Sequence, residues 1–532
     1  MTKYIFVTGG VISGLGKGVI SASIGRILKM FGEEKITIKK LDPYLNIDPG
    51  TLNPIEHGEV FVTHDGIEAD LDLGYYERFL EIETSRQNST SSGKLLQELF
   101  RRERDGKYLG KTVQYIPHFT DIIKEFICCG SDKYDYIICE IGGCVGDIEA
   151  MAFYEALRQL KTELGVSNLI FIHLTYLLHY QVSGELKTKP TQNSIRELQQ
   201  VGITPDILIC RTDIPMNDEI RTKLSLHTNL CKSNIIEATN VSSIYEVPRK
   251  LIDGGIDIII STYFNINKKI STTEWDKYLS IISTPKKEIN IGIVGKYIEL
   301  MDSYKSLLEA IFHAGIKNNH KVNIHWINAR EEDINISGVD GIIIPGGFGE
   351  SGIENMLKLI KIIRERRIPT FGICLGMQLM VIEYVRNIIG DERANSEEFT
   401  GDNYEVIIKR KIINEGMGGT MRLGSKSITL NKSKLQEIYN KDIIYERHRH
   451  RYIINNVFWN ELENHGCLIS GESTNKSETI IEAIEVQDSP WYIGCQYHPE
   501  YKSRPFEPHP LFVSFIKASI LMKEGEGKMR VK

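Results

Sequence analysis

The stretch that most limits how this chain can fold is Tyr4-Ile5-Phe6-Val7 running into GGVISGLGKGV, Gly9 to Val19, and on into an apolar-periodic segment from Ser21 to Lys29. A short apolar run that ends in glycines reads as a buried parallel strand, and the periodic segment reads as a helix. Strand, glycine-rich turn, lysine and helix form the layout of a nucleotide phosphate cradle. Glycines let backbone N–H groups converge on phosphate, and a helix N-terminus adds partial positive charge. Lys17 is placed to reach the outer phosphates, with Gly14, Leu15, Gly16, Gly18 and Val19 around it. The pattern departs from a standard Walker A. Val11 stands where the first glycine belongs, and Gly18 replaces the hydroxyl residue that ligates magnesium. A metal must then be held from elsewhere in the chain.

The chain continues in strand and helix alternation. Lys35 to Leu41 reads as a second strand, with Lys40 at its carboxyl end, where open α/β sheets place ligands. Leu45 to Phe79 is rich in Gly, Asp, Pro and His and shows little periodicity. It holds Asp70-Leu71-Asp72, and two carboxylates at i and i+2 point the same way if the chain is extended. Tyr134 to Ile141 reads as a strand that carries Glu140 inside an apolar run. Burying that carboxylate without a partner is costly, and a metal ion or a lysine resolves the cost. A strand-end acid with a phosphate cradle is the Walker B arrangement. Asp72 and Glu140 are therefore candidate magnesium ligands. Asn168 to Thr175 is a further strand. The run Lys187-Thr188-Lys189-Pro190-Thr191-Gln192 suits phosphates and a base, although a polar surface turn reads similarly. Asp206 to Cys210 and Ile256 to Ser261 read as strands that complete a parallel sheet. Residues 266–288 are polar and read as a linker, after which the alternation restarts at Ile289. The expectation is an α/β chain of two doubly wound, mainly parallel-sheet domains, 1–265 and 289–522, with a disordered polar tail at 523–532.

The second half carries the sharpest chemistry. Gly341-Ile-Ile-Ile-Pro-Gly-Gly-Phe-Gly is a strand entering a glycine turn. Gly372-Ile373-Cys374-Leu375-Gly376 is G-x-C-x-G, the cysteine form of a nucleophile elbow, between a strand and a helix. Small residues flank the nucleophile because the turn is tight, and the helix N-terminus favours the thiolate. Later comes Cys495-Gln-Tyr-His-Pro-Glu500, in which His498 and Glu500 lie two apart and share one side of an extended segment. His498 reads as the base and Glu500 as its orienter. Each motif alone is commonplace; the three in this order on one domain read as a thiol acyl-transfer triad.

Composition narrows the partners. The formal charge is −6, so no global basic field points to nucleic acid. The 9 cysteines are scattered without CxxC pairs, which suits reduced thiols in a cytoplasmic setting. No leader pattern and no bilayer-length apolar run is present.

The PGGFG, GICLGMQ and HPE segments resemble the class I glutamine amidotransferases. GGVISGLGKG, LDPYLNIDPGT, EHGEVFV, DLDLGYYERF, YLGKTVQ, GGCVGDIE and SGELKTKPTQ extend the resemblance to the CTP synthase family over nearly the whole chain. That resemblance implies ATP-dependent amination of UTP to CTP, with ammonia released from L-glutamine at Cys374 and passed internally. It implies a flavodoxin-like amidotransferase fold and a P-loop-like synthetase fold. It further implies phosphorylation of the uracil 4-oxygen before amination, Mg2+ with ATP, GTP as allosteric activator, CTP as inhibitor, and a homotetramer; whether that tetramer forms filaments is left open by the sequence. By the same resemblance Lys17, Lys40 and Asp72 meet ATP. Ser13, Lys187 to Gln192 and Lys223 meet UTP, and Asp147, Ile148 and Glu149 meet CTP. Gly347, Leu375, Gly376, Met377, Gln378, Glu398 and Arg451 meet glutamine, with neighbouring arginines in Arg447-His-Arg-His-Arg451 as alternatives. Gly347 and Leu375 N–H groups would form an oxyanion hole. Gly416 to Gly424 is similar to the family's lid loop. One departure stands out: the family carries x-Arg-Gly after PGGFG, and this chain has Glu350-Ser351-Gly352, which predicts a weakened response to GTP. Two other readings stay open at this stage, an amidotransferase with another acceptor such as a corrinoid side-chain acid, and a catalytically silent scaffold.

Overall fold

The computed structural model describes residues 1–12, 14–52, 58–182, 184–284, 286–295, 301–331, 335–399, 405–410, 421–475 and 478–525. The chain forms two compact units, one of Met1–Pro49 with Asp72–Ser280 and one of Gly50–Leu71 with Ile281–Lys532. The first stretch of sequence is thus interrupted, since Gly50–Leu71 groups with the C-terminal unit. Its weak periodicity carries no sign of where it packs.

The first unit is built on β1 (Lys3–Gly9), β2 (Ile36–Asp42), β3 (Ser89–Ser91), β4 (Tyr136–Ile141), β5 (Leu169–Tyr180), β6 (Ile207–Thr212) and β7 (Ile235–Thr239). Their spatial order is β7-β6-β5-β1-β4-β2-β3, and every neighbour pair is parallel. Glu185–Lys187 adds a short antiparallel strand to β5. β2 and β4 are buried along their whole length, as expected of strands covered on both faces. Register sets Lys40 of β2 directly beside Glu140 of β4. Helix α1 (Lys17–Met30) follows the glycine turn and buries Ile20, Ile24, Ile27 and Leu28 against the sheet. Its cap, Gly16, has φ 88°, which a residue without Cβ adopts at no steric cost.

Three expectations are corrected here. Ile256 to Ser261 is not a strand but part of a helix, Ile256–Phe264, which buries Ile256, Ile260 and Phe264 at four-residue spacing. A short apolar run does not by itself distinguish strand from helix. The strand that occupies the sheet edge is β7, which was not foreseen. The polar stretch 266–288 contains a helix, Thr273–Ser283, that buries Trp275 against Phe79 and Tyr245, with ring centroids 5.8 and 6.1 Å away. Finally, Asp72 opens helix α2 (Asp72–Leu80), so Asp70 and Asp72 do not form an extended i, i+2 pair.

The second unit carries β8 (Lys287–Gly295), β9 (His320–Asn328), β10 (Gly341–Ile344), β11 (Thr370–Ile373), β12 (Arg422–Leu430), β13 (Ile443–His450), β14 (Cys467–Asn475), β15 (Glu478–Val486) and β16 (Tyr492–Cys495). Their order is β9-β8-β10-β11-β16-β15-β14-β12-β13. The pairs from β9 to β16 are parallel, and those from β16 to β13 are antiparallel. Helix α3 (Leu375–Tyr384) leaves the end of β11 and is buried throughout. Among the described residues no helix is long and apolar enough to cross a membrane.

Candidate functional site

Cys374 sits between β11 and α3 with φ 53° and ψ −106°, a conformation that residues bearing a Cβ rarely adopt. Such strain costs about 1–3 kcal/mol and persists only where the surroundings enforce it. The enforcement is visible in the flanking glycines. A Cβ on Gly376 would lie 1.9 Å from the Ile344 carbonyl oxygen, and one on Gly372 would lie 2.2 Å from Met380 Sδ and 2.9 Å from the Met377 nitrogen. The Cys374 N–H donates to the Cys495 carbonyl at 2.7 Å, which ties the elbow to the strand that leads to His498.

His498 Nδ1 pairs with Glu500 Oε1 at 2.7 Å, and the imidazole stacks on Tyr501. Burial pulls the imidazole pKa down, but the Glu500 carboxylate and then Cys374 outweigh it and raise the group to about 10. His498 therefore carries a proton at neutral pH. A cavity of about 290 Å³ lies over these groups, walled by Gly346, Gly347, Phe348, Arg449, Arg451 and Tyr501.

The other candidates of this half are distributed unevenly. Gly347 lines the cavity and Leu375 begins α3. Gly376 and Met377 are packed inside the helix. The buried Gln378 amide donates to the Tyr452 carbonyl at 3.1 Å and to Gln496 Oε1 at 3.0 Å, so it braces the elbow from below. Glu398 Oε1 accepts the Gly349 N–H at 2.8 Å and so fixes the glycine turn. Of the three arginines, Arg447 is buried and donates to the Val62 carbonyl at 3.1 Å, whereas Arg449 and Arg451 reach the cavity, their guanidinium groups 5.2 and 5.7 Å from the Phe348 ring. Gly416 to Thr420 of the lid-like segment lie outside the described residues, and Met421 lines the cavity. Sequence reasoning missed Glu59 and Val60 as cavity residues, although the apolar run Val60-Phe61-Val62 is a short strand signal. His448, His450 and Glu482 form a buried cluster of metal-ligating types; Arg422 pairs with Glu482 Oε1 at 2.6 Å, while Glu482 Oε2 and His448 Nε2 are buried without a hydrogen-bond partner.

In the first unit, Lys17 Nζ donates to the Gly143 carbonyl at 2.6 Å, and burial pulls the ammonium pKa down. Lys40 is the centre of a buried ionic cluster. Its ammonium pairs with Asp72, with Glu140 Oε1 at 2.8 Å and with Asp42 Oδ1 at 3.8 Å, and Tyr76 donates to the far oxygen of Glu140. Burial and then Asp72 push the Glu140 carboxyl up, against Lys40. Burial raises Asp42 to about 6; Lys40 pulls it down, while Asp72 and Glu140 add to the rise. Three carboxylates around Lys40, with Lys17 the second ammonium acting on them, leave negative charge in excess, and Asp42 Oδ2 is buried without a hydrogen-bond partner. The donors are all hard oxygens, a set that fits Mg2+. Gly18 has its reason here: a Cβ would lie 1.9 Å from Asp72 Oδ1, so the residue that replaces the Walker hydroxyl makes room for the carboxylate. Asp42 was missed, yet it lies two residues beyond Lys40 on the same strand face.

Beside this centre, a cavity of about 460 Å³ is lined by Leu15, Gly16, Val19, Arg211, Asn240 and Leu251, among others. Its far wall follows β7, the unforeseen strand. Gly14 has φ 70° in the same turn. Ser13 lies outside the described residues. Lys187 is exposed and pairs with Glu185 at 2.6 Å; Lys189 and Pro190 open the helix Lys189–Gln200; Thr191 donates to the Tyr176 carbonyl and Gln192 to Thr188 Oγ1. Asp147 accepts the Cys144 N–H at 2.7 Å, with Ile148 and Glu149 exposed after it. Lys223 is exposed on the helix Asp218–Thr228.

Residues 3–266 match the family described as CTP synthase N-terminus, and residues 299–518 match glutamine amidotransferase class-I. The chain is 49% identical over 532 residues to a CTP synthase of Hydrogenobaculum sp., covering 98% of each chain. It is 48% identical over 531 residues to a CTP synthase of Aquifex aeolicus, covering 98% of this chain and 99% of that one. A CTP synthase of Rhodospirillum rubrum is 46% identical, with 98% and 99% covered.

The raised His498 pKa makes a direct expectation. In an NMR titration the imidazole stays protonated through neutral pH and loses its proton near 10, and Glu500→Gln brings that value down. By linkage, the stability that the pair contributes is complete below about pH 6.5, the unfolded value, and is lost as pH rises through about 10. A His498 that titrates near its ordinary value contradicts the pairing.

Proposed function

Because the chain belongs to the CTP synthase family, and is thus a ligase that makes CTP from UTP with ATP, Mg2+ and glutamine, we propose the following division of that reaction among its residues. The observation that carries the reading is the strained Cys374 elbow sharing one cavity with a protonated, Glu500-bound His498. Cys374 Sγ attacks the glutamine carboxamide carbon. The oxyanion is received by the Gly347 N–H, after β10, and the Leu375 N–H, at the start of α3. His498 gives its proton to the departing nitrogen, ammonia leaves, and a thioester remains on Sγ. His498 then takes a proton from water as the water attacks, and glutamate is released. Arg451 takes the glutamine α-carboxylate, and Glu398 acts by holding the Gly349 turn.

In the other unit, Lys17 and Lys40 steady the phosphoryl group as it moves from ATP to the uracil 4-oxygen, and ammonia then displaces phosphate at that carbon. Asp72 and Glu140 would hold Mg2+, with Asp42 beside them; when bound, the ion neutralises phosphate charge. The cavity between Val19 and Asn240 suits the nucleoside end of ATP. UTP is assigned to Ser13, the Lys187 to Gln192 turn and Lys223, and product CTP to Asp147, Ile148 and Glu149. Assembly into a homotetramer is part of the same reading and rests on the family. Domain limits near 265 and 289 and a cytoplasmic setting remain part of this reading.

GTP is proposed as activator, with a weakened response because Glu350-Ser351-Gly352 lacks the family's arginine. Arg330 Nε donates to Ser351 Oγ at 3.1 Å and returns one guanidinium to the turn, so the response is reduced and not abolished. A GTP titration of glutamine-dependent CTP formation checks this, and strong activation at low GTP contradicts the weakening.

Cys374→Ala is expected to abolish glutamine-dependent CTP formation, by about 10⁴-fold or more, while ammonium still supports it. Asp72→Asn and Glu140→Gln should lower both reactions, by about 10–100-fold. Retention of the glutamine reaction by Cys374→Ala removes the nucleophile from this account.

A further inference from the structure

Glu68 belongs to no motif discussed above. Its short strand, Glu68–Ala69, pairs with Phe61–Val62 within the second unit. Glu68 Oε1 accepts from Arg449 Nε at 2.8 Å, with the two side chains 9% and 14% exposed. Gly50 backs the pair: its carbonyl lies 3.5 Å from Arg449 Nη2, and a Cβ there would come within 2.1 Å of Glu68 Oε2. The guanidinium is thereby fixed between a carboxylate, a carbonyl and the face of Phe348. The main chain of the same arginine does something different. The Arg449 carbonyl oxygen lies 3.8 Å from Cys374 Sγ. One residue thus presents an acceptor beside the nucleophile and keeps its positive charge cancelled.

A carboxamide and a carboxylate have almost the same shape. They differ in charge and in the N–H donors that only the carboxamide has. A carbonyl acceptor beside the thiol favours the carboxamide N–H and repels a carboxylate oxygen. An uncancelled guanidinium in the same partly desolvated wall would do the reverse.

We propose that Glu68 is a positioning residue that sets substrate specificity: by cancelling and immobilising Arg449, it lets the wall beside Cys374 select glutamine and release glutamate. The inference rests on the glutamine reading of the Cys374 cavity. The other charges at the cavity, on Glu59, Arg451, His498 and Glu500, are common to every variant compared.

The test is inhibition of glutaminase activity by added glutamate, measured at one ionic strength for the intact protein, Glu68→Gln, Arg449→Gln and the double variant. Ammonium-dependent CTP formation, which bypasses the cavity, reports that each variant is folded. Glu68→Gln strands a cation and should strengthen glutamate inhibition about tenfold, with a smaller change in KM for glutamine. Arg449→Gln strands a carboxylate and should weaken the inhibition. The double variant should return towards the original value, and the effect of Glu68→Gln should shrink with added salt. If Glu68→Gln fails to fold, the comparison of Arg449→Gln with the double variant still decides, since they differ only in the Glu68 charge. Shifts of the same sign in both single variants, or none, overturn the proposal and leave Glu68 a structural partner. An intact protein that hydrolyses no glutamine overturns the underlying reading instead.

Discussion

A parallel sheet delivers the carboxyl ends of its strands to one edge, and the chemistry of each unit stands at such an edge. In the first unit the glycine turn leaves β1, Lys40 and Asp42 end β2, and Glu140 ends β4. In the second, Gly346 and Gly347 follow β10, Cys374 follows β11, and His498 follows β16. Residues far apart in sequence meet because parallel register aligns these ends. The Cys374 N–H bonded to the Cys495 carbonyl is that alignment carried one residue past the sheet.

Burial makes both centres matter. Lys40 sits among three carboxylates with little water to screen them, so removing the ammonium leaves like charges facing one another with only Lys17 near enough to offset them. The same desolvation raises Asp42 and Glu140 and makes a divalent cation a natural complement. At Cys374 burial works against a protonated His498, and Glu500 with Cys374 outweighs it. The Glu68–Arg449 pair is a third use of low dielectric, one that silences a charge.

Much of this was legible in the residues. Where a candidate group lies inside a local pattern, the pattern singled it out: Lys17 in the glycine turn, Cys374 between its glycines, His498 and Glu500 at two-residue spacing. Where the pattern is local but ambiguous, it misled. Ile256 to Ile260 is apolar enough for a strand, and its helix declares itself only through the buried Ile256, Ile260 and Phe264 spacing. The polar stretch around Trp275 concealed a helix because one aromatic cluster, not a periodic stripe, holds it down. Partners supplied by tertiary packing were out of reach. Nothing near Glu68 in sequence points to Arg449, and nothing near Gly18 says that Asp72 needs its space. Asp42 is the exception that reasoning could have recovered, from its i, i+2 relation to Lys40.

The central claim is that one chain frees nitrogen at Cys374 and installs it on the uracil ring of UTP. The most direct measurement is the isotopic content of CTP formed from amide-¹⁵N-glutamine, UTP, ATP and Mg2+, with unlabelled ammonium in the medium. The account predicts that CTP carries the label in preference to the medium's nitrogen, because ammonia passes internally. CTP that draws its nitrogen from the medium in proportion to the free ammonium would contradict it.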